Sequence, residues 1–169
     1  EGLFTLQRFQ GRLGNSPWFL GAEYVFLHTT SRFDAGLPVE IPPADLDVDV
    51  GGLGASVEYD TRDNLLDARR GVDLFGGVTW YDQAFGGDES FGKAKIEGLF
   101  YGRPHERWEL GLRTETQFAW SDPPFFEKPY LVMRGLPALR YTNDVTVLGE
   151  GEIRFAIDPR WTVLGFGGA

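Results

Sequence analysis

The chain has 169 residues, enough for one domain and too few for two comfortable ones, and it contains no cysteine, which excludes a disulfide scaffold and thiolate metal sites. Its net charge of -9, with no basic run anywhere, excludes a nucleic-acid surface, because phosphate binding needs a basic stripe. Aromatic residues at 15%, with 23 Gly and 10 Pro, point to strands and turns rather than helices; no apolar run approaches the ~20 residues of a spanning helix, so a membrane reading requires alternating strands.

In chain order, strands are predicted over Leu3 to Leu13, Trp18 to Ser31, Asp49 to Asp60 and Gly71 to Asp82. Further strands follow around Ala94 to Phe100, over Trp108 to Trp120, around Ile153 to Ile157, and from Trp161 onward. The clearest alternation sets Trp108, Leu110, Leu112, Thr114, Thr116, Phe118 and Trp120 against Glu109, Gly111, Arg113, Glu115, Gln117 and Ala119. One face is apolar and the other charged. The same split opposes Ala94, Ile96, Gly98 and Phe100 to Lys93, Lys95 and Glu97, and Ile153, Phe155 and Ile157 to Glu150, Glu152 and Arg154. Both signs share the polar side, so pairing across strands is expected.

Several of these strands reach the ~10 residues that cross a bilayer obliquely. Trp18, Phe33, Trp80, Tyr81, Trp108, Trp120, Tyr130 and Trp161 sit near strand ends, where interfacial girdles of a membrane barrel belong. A β-sandwich core is the competing reading. Connections alternate in length: Gly14-Asn15-Ser16, Arg32 to Val48, Thr61 to Arg70, Gln83 to Glu89, Arg103-Pro104-His105-Glu106, Ser121 to Asp144, and Asp158-Pro159-Arg160. Short turns on the periplasmic side and long loops outside make Arg32 to Val48, Gln83 to Glu89 and Ser121 to Asp144 extracellular, with Thr61 to Arg70 a periplasmic connection of medium length. The expected architecture is therefore all-β, an antiparallel transmembrane β-barrel with residues 1–169 forming a portion of about eight strands, incomplete at both ends. The first visible strand would run inward and the last outward, so an odd number of strands is expected to be missing at each end. Open edges are intolerable in lipid, and either those strands or a second copy must close the barrel.

Two segments carry more than generic barrel pattern: Val57-Glu58-Tyr59-Asp60-Thr61-Arg62-Asp63-Asn64 with Ala68-Arg69-Arg70-Gly71, and Met133-Arg134-Gly135-Leu136-Pro137. Both resemble signatures of the BamA/TamA superfamily, the bacterial surface antigen family. There a strand ends in a Tyr-Asp-x-Arg-Asp-like pattern and a short segment closes with Arg-Gly, while a later extracellular loop carries a Val-Arg-Gly-aromatic tip. Met133 and Leu136 depart from that tip. The following Glu-aromatic-Arg strand is matched by Glu152-Ile153-Arg154-Phe155, and the Phe-x-Asp-x-Gly strand by Phe166-Gly167-Gly168-Ala169, with Gly168 where Asp is expected. The resemblance runs from about Trp18 to Ala169.

It implies that the tip arginine folds into the lumen and pairs with wall carboxylates, which makes Arg134, with Gly135, the candidate cation and Glu150 or Glu152 its acceptor. Asp60, Arg62, Asp63, Asn64 and Gly71 are expected to form a charge-paired turn, with Asn64 and Gly71 supplying special backbone angles. The implied function is assistance in insertion or translocation of proteins at the bacterial outer membrane. The implied partners are outer-membrane lipid and unfolded outer-membrane protein clients, met at strand edges by β-augmentation. A passive pore or structural barrel, and a barrel anchor or exporter for a fused N-terminal domain, are the other readings.

No enzyme, metal or cofactor is expected. His28 and His105 have no ligand partners at useful spacing, and Ser31, Ser56 and Ser90 carry no local catalytic signature. Gly51-Gly52-Leu53-Gly54 and Gly165-Phe166-Gly167-Gly168 fall inside strand patterns, not in phosphate-cradling loops. Asp45, Asp47 and Asp49 read as an acidic loop, since a calcium loop would need a glycine and a distal glutamate that are lacking.

Overall fold

The computed structural model describes residues 2–33, 44–137 and 139–169. Strands β1 (Gly2–Arg12), β2 (Trp18–Phe33), β3 (Ala44–Asp60), β4 (Gly71–Tyr81), β5 (Phe91–His105), β6 (Trp108–Trp120), β7 (Val145–Ala156) and β8 (Thr162–Gly168) form one sheet. Every strand pairs antiparallel with its sequence neighbour, in the order β1-β2-β3-β4-β5-β6-β7-β8. Among the described residues there is no α-helix, and β1 and β8 do not pair with one another, so the sheet is open.

Several strands run further than their patterns predict. β2 and β3 stay in register from Trp18 opposite Tyr59 to Phe33 opposite Ala44, so part of the expected Arg32 to Val48 loop is strand. Among the added residues, the aromatic Phe33 and the β-branched Val48 favour that extension. The remainder of that connection, residues 34–43, lies outside the described residues. The expected turn Arg103-Pro104-His105-Glu106 is likewise corrected: β5 continues to His105, leaving Glu106 and Arg107 to turn the chain. The register shifts between Gly102 and His105, where Pro104 has no N–H to give to a regular ladder.

Pairing carries the alternation across the whole sheet. Arg113 stands opposite Glu150, Gly111 opposite Glu152 and Glu109 opposite Arg154; Lys95 stands opposite Gln117 and Glu97 opposite Glu115. These residues share one face. The other face exposes Leu53, Val57, Leu74, Trp80, Ile96, Leu110, Leu112, Phe118, Val147 and Ile153. These side chains are 38–64% exposed, so each forgoes part of the about 1.5–3 kcal/mol that full burial of such a side chain contributes. Aromatic pairs mark its two ends: Trp18 with Tyr59 at 4.9 Å and Trp108 with Phe155 at 4.6 Å near the short turns, and Trp80 with Trp120 at 5.8 Å near the long connections.

The charged face is not charged throughout. At its long-loop end Val50, Tyr81 and Phe91 form a buried cluster, joined by Val25, Leu27, Val48 and by Phe126 from the 121–144 loop. Tyr81 and Phe91 stack with ring centroids 4.3 Å apart and planes 10° from parallel.

Gly71, where the 61–70 connector enters β4, has φ +104°, and a Cβ there would lie 2.4 Å from the carbonyl oxygen of Thr61. Gly71→Ala is therefore expected to lower stability by about 1–3 kcal/mol, measured as the shift in urea midpoint. A shift indistinguishable from zero would show that the connector can move aside.

Candidate functional site

The chain leaves β6 through Ser121 and Asp122, both left-handed at φ 65° and 55°, and folds back over the charged face. Within the 121–144 loop, Leu131 N–H donates to Tyr141 O at 3.2 Å, and Tyr130 and Thr142 form an isolated bridge. The tip closes where Leu136 N–H donates to Met133 O at 3.2 Å, with Gly135 at φ +84°. That positive φ is what the glycine supplies.

Strand side chains then hold the loop along its length. Lys93 Nζ donates to Glu127 at 2.9 Å, Gln117 Nε2 to Tyr130 O at 3.1 Å and Arg113 Nη1 to Val132 O at 3.3 Å. At the tip, Arg134 Nη1 donates to Glu152 Oε2 at 2.6 Å, and the Arg134 backbone N–H to Glu150 Oε1 at 3.3 Å. The guanidinium of Arg134 also lies 4.3 Å from the ring centroid of Phe166 on β8, a favourable cation–π position.

Beneath the loop the charges alternate. Glu115, only 4% exposed, receives Arg113 Nη2 at 2.6 Å and Gln117 Nε2 at 2.7 Å, with Lys95 Nζ at 3.2 Å. Lys95 pairs with Glu97 at 2.5 Å, Arg113 reaches Glu150 at 3.2 Å, and Arg154 Nε donates to Glu152 Oε1 at 2.6 Å. A buried carboxylate is tolerated only when paired and hydrogen-bonded. The cations Lys95, Arg113, Arg134 and Arg154 meet the carboxylates Glu97, Glu115, Glu150 and Glu152, so the patch is neutral.

The structure thus brings Arg134, Gly135, Glu150 and Glu152 together, with both glutamates in contact and Glu152 the nearer to the guanidinium. A Cβ at Gly168 would lie 2.9 Å from Glu150 Cγ and 3.1 Å from Met133 Sδ, so the glycine leaves room for the tip. Sequence reasoning missed Arg113, Lys95, Arg154 and Phe166 as site residues. The polar stripe of β6 already placed Arg113 beside Glu115; the missing information was which strand lay opposite.

The second predicted group forms the 61–70 connector. Arg62 clasps Asp60 through Nε at 3.0 Å and Nη2 at 2.8 Å and reaches Asp73 at 3.0 Å, a partner not foreseen. Glu58, Asp60 and Asp73 offer carboxylate oxygens close together, and the Arg62 guanidinium supplies a cation there. Asp63 accepts from Arg69 N–H at 2.9 Å and from Arg70 N–H at 3.3 Å. Asn64 is corrected: among the described residues the non-glycine positions with positive φ are Ser121, Asp122 and Leu139, and Asn64 works instead through its side chain. Its Oδ1 accepts from Leu66 N–H at 2.8 Å and Asp67 N–H at 3.1 Å, an Asx turn.

His28 Nδ1 lies 2.6 Å from Asp49 Oδ1, and His105 Nδ1 faces the Arg107 N–H at 3.4 Å. The side chains of Asp45 and Asp47 lie outside what is described. No protein-family model and no curated protein matches the chain.

Arg113→Met is expected to cost about 1–3 kcal/mol by leaving Glu115 and Glu150 short of a donor, read as a lowered unfolding midpoint that Arg113→Lys only partly restores. Equal midpoints for the wild type and the Met variant would remove Arg113 from the network. The bonds from Arg69 and Arg70 N–H hold the Asp63 carboxyl below its ordinary pKa. A carboxylate lowered in the folded state adds stability above its unfolded pKa and loses it as pH falls through the folded value. Amide exchange at Arg69 and Arg70, corrected for intrinsic rates, should therefore rise only once the pH drops below the ordinary aspartate range. A rise centred at or above that range would contradict the assignment.

Proposed function

We propose that this chain is part of a bacterial outer-membrane β-barrel of the BamA/TamA-like type, which assists insertion or translocation of proteins at that membrane. The observation that carries the reading is the 121–144 loop folded onto the charged face, with Arg134 held by Glu152 and Glu150. A purely solvated loop would have no use for a tip arginine fixed between wall carboxylates.

The apolar face supports lipid as its cover. The aromatic pairs at its two ends are separated along β6 by roughly 40 Å at ~3.3 Å per residue. Strands tilted by about 45° convert that length to roughly 28 Å, close to the ~25–30 Å apolar thickness a barrel must match. On this reading the charged face lines the lumen, the short turns are periplasmic, and the 121–144 loop enters from outside. Closure comes from further strands of the protein or from a second copy, because unpaired edges are unsatisfied in lipid. A weak seam there would present strand edges to a client.

A passive barrel is the second reading, favoured by Gly168 standing where the family pattern has an acidic side chain. Client assembly separates the two: deletion without any assembly defect, alongside intact solute flux, would favour the passive barrel.

Two outcomes test the leading reading in intact cells carrying the full-length protein. A protease site placed near Met133 should be cut from outside while one at Pro159 is spared; equal cleavage of both in a soluble fraction would return the chain to a soluble β-protein. Arg134→Ala should expose the Met133 site further and slow client assembly while leaving outer-membrane targeting intact, with Arg134→Lys intermediate. Unchanged protection together with unchanged assembly would sink the loop's role.

A further inference from the structure

The 61–70 connector joins β3 to β4, yet its side chains reach strands two and three places further along the sheet. Arg69 Nε lies 3.5 Å from Glu109 on β6, and Asp67 Oδ1 lies 3.7 Å from Arg154 Nη1 on β7. Ala68 of the connector, Tyr101 and Glu152 line one recess together with Arg154. The connector therefore folds back over the charged face from the short-turn end, as the 121–144 loop does from the other.

Asp67 is held in place by its own backbone, whose N–H is capped by Asn64, and by the neighbouring bonds that Asp63 accepts from Arg69 and Arg70. From Asp67 the charges alternate without a break. Arg154, which faces Asp67 through Nη1, donates Nε to Glu152 Oε1 at 2.6 Å; the other oxygen of Glu152 accepts from Arg134 Nη1 at 2.6 Å. One carboxylate on β7 is shared by the connector from one end of the sheet and the loop tip from the other.

We propose that Asp67 and Arg154 are positioning residues for the loop tip, coupling the 61–70 connector to the seat of Arg134 through Glu152. The inference rests on the loop-tip role assigned to Arg134 above. Its physical basis is competition for one acceptor. Arg154 has Nη1 3.7 Å from Asp67 Oδ1, an attraction that biases its guanidinium toward Oε1 of Glu152, while the other oxygen of Asp67 accepts from Arg69 Nη2 at 3.3 Å. Without Asp67 the Arg154 fork is free to engage both oxygens, at the expense of Arg134. The effect is modest because Asp67 and Arg154 are half-exposed and their pair is long.

The test is hydrogen exchange of the backbone at 131–136 in the full-length protein in lipid nanodiscs. Asp67→Asn, which keeps the shape and removes the charge, should speed exchange there about threefold, and Asp67→Glu should leave it near wild type. Arg134→Ala should speed it by at least as much, and Asp67→Asn should add nothing in that background, since both act on the same contact. If Arg134→Ala speeds exchange and Asp67→Asn does not, the coupling is wrong and the loop-tip role stands. Should Asp67→Asn act equally in the Arg134→Ala background, it works by general loosening and the coupling is again wrong. If Arg134→Ala itself changes nothing, both readings fall.

Discussion

An extended chain sends successive side chains to opposite faces, and in this sheet that single constraint separates two solvation problems. Apolar residues collect on one face, where nothing in the described chain covers them. Ions collect on the other, where the like charges Glu97 and Glu115, and Asp60 and Asp73, stand directly opposite each other and are bridged by Lys95 and Arg62 from neighbouring positions. Everything else in the structure answers one of these two demands. The aromatic pairs at the ends of the apolar face suit a boundary between an apolar medium and water. The 61–70 connector and the 121–144 loop both fold over the charged face and serve it.

Pairing alone does not satisfy that face. Glu115 is almost fully buried, and a carboxylate removed from water needs several donors at once. Arg113, Gln117 and Lys95 supply them, but Arg113 and Gln117 then have N–H groups to spare. The carbonyls of Val132 and Tyr130 accept those, so the loop's backbone completes the sheet's hydrogen bonds as the sheet holds the loop. Neither the loop path nor the buried glutamate makes physical sense without the other. At the opposite end Arg62 does the same for Asp60 and Asp73, replacing what would be carboxylate repulsion by a bidentate clasp.

Strand positions and the two faces were legible in the sequence because period-two alternation is a local property. So was the meeting of Arg134 with Glu150 and Glu152, though through resemblance of short motifs and not through spacing. What escaped depended on register. Arg113 could be read as lying on the polar face, but its position opposite Glu150 follows only from the β6–β7 ladder. Asp73 looked like an ordinary strand residue until pairing set it opposite Asp60. The apolar cluster of Val50, Tyr81 and Phe91 was hidden because its members lie on three strands and its cover, Phe126, comes from a loop with no periodicity. Pro104 was read as a turn residue, whereas the strand accommodates it at a register shift.

Gly168 shows why a departure from a motif has to be weighed against the charges around it. The patch under the loop tip is already neutral, with Lys95, Arg113, Arg134 and Arg154 set against Glu97, Glu115, Glu150 and Glu152. A carboxylate at position 168 would add an uncompensated negative charge, and its Cβ would crowd Glu150 and the sulfur of Met133. Two residues earlier on the same strand, Phe166 offers its ring face to the Arg134 guanidinium, an attraction that adds no charge. Glycine at 168 and a sulfur-bearing side chain at 133 are thus mutually consistent: the glycine makes room for Met133, and the arginine has an aromatic surface and two carboxylates. The loop tip therefore seats its arginine without a carboxylate at position 168.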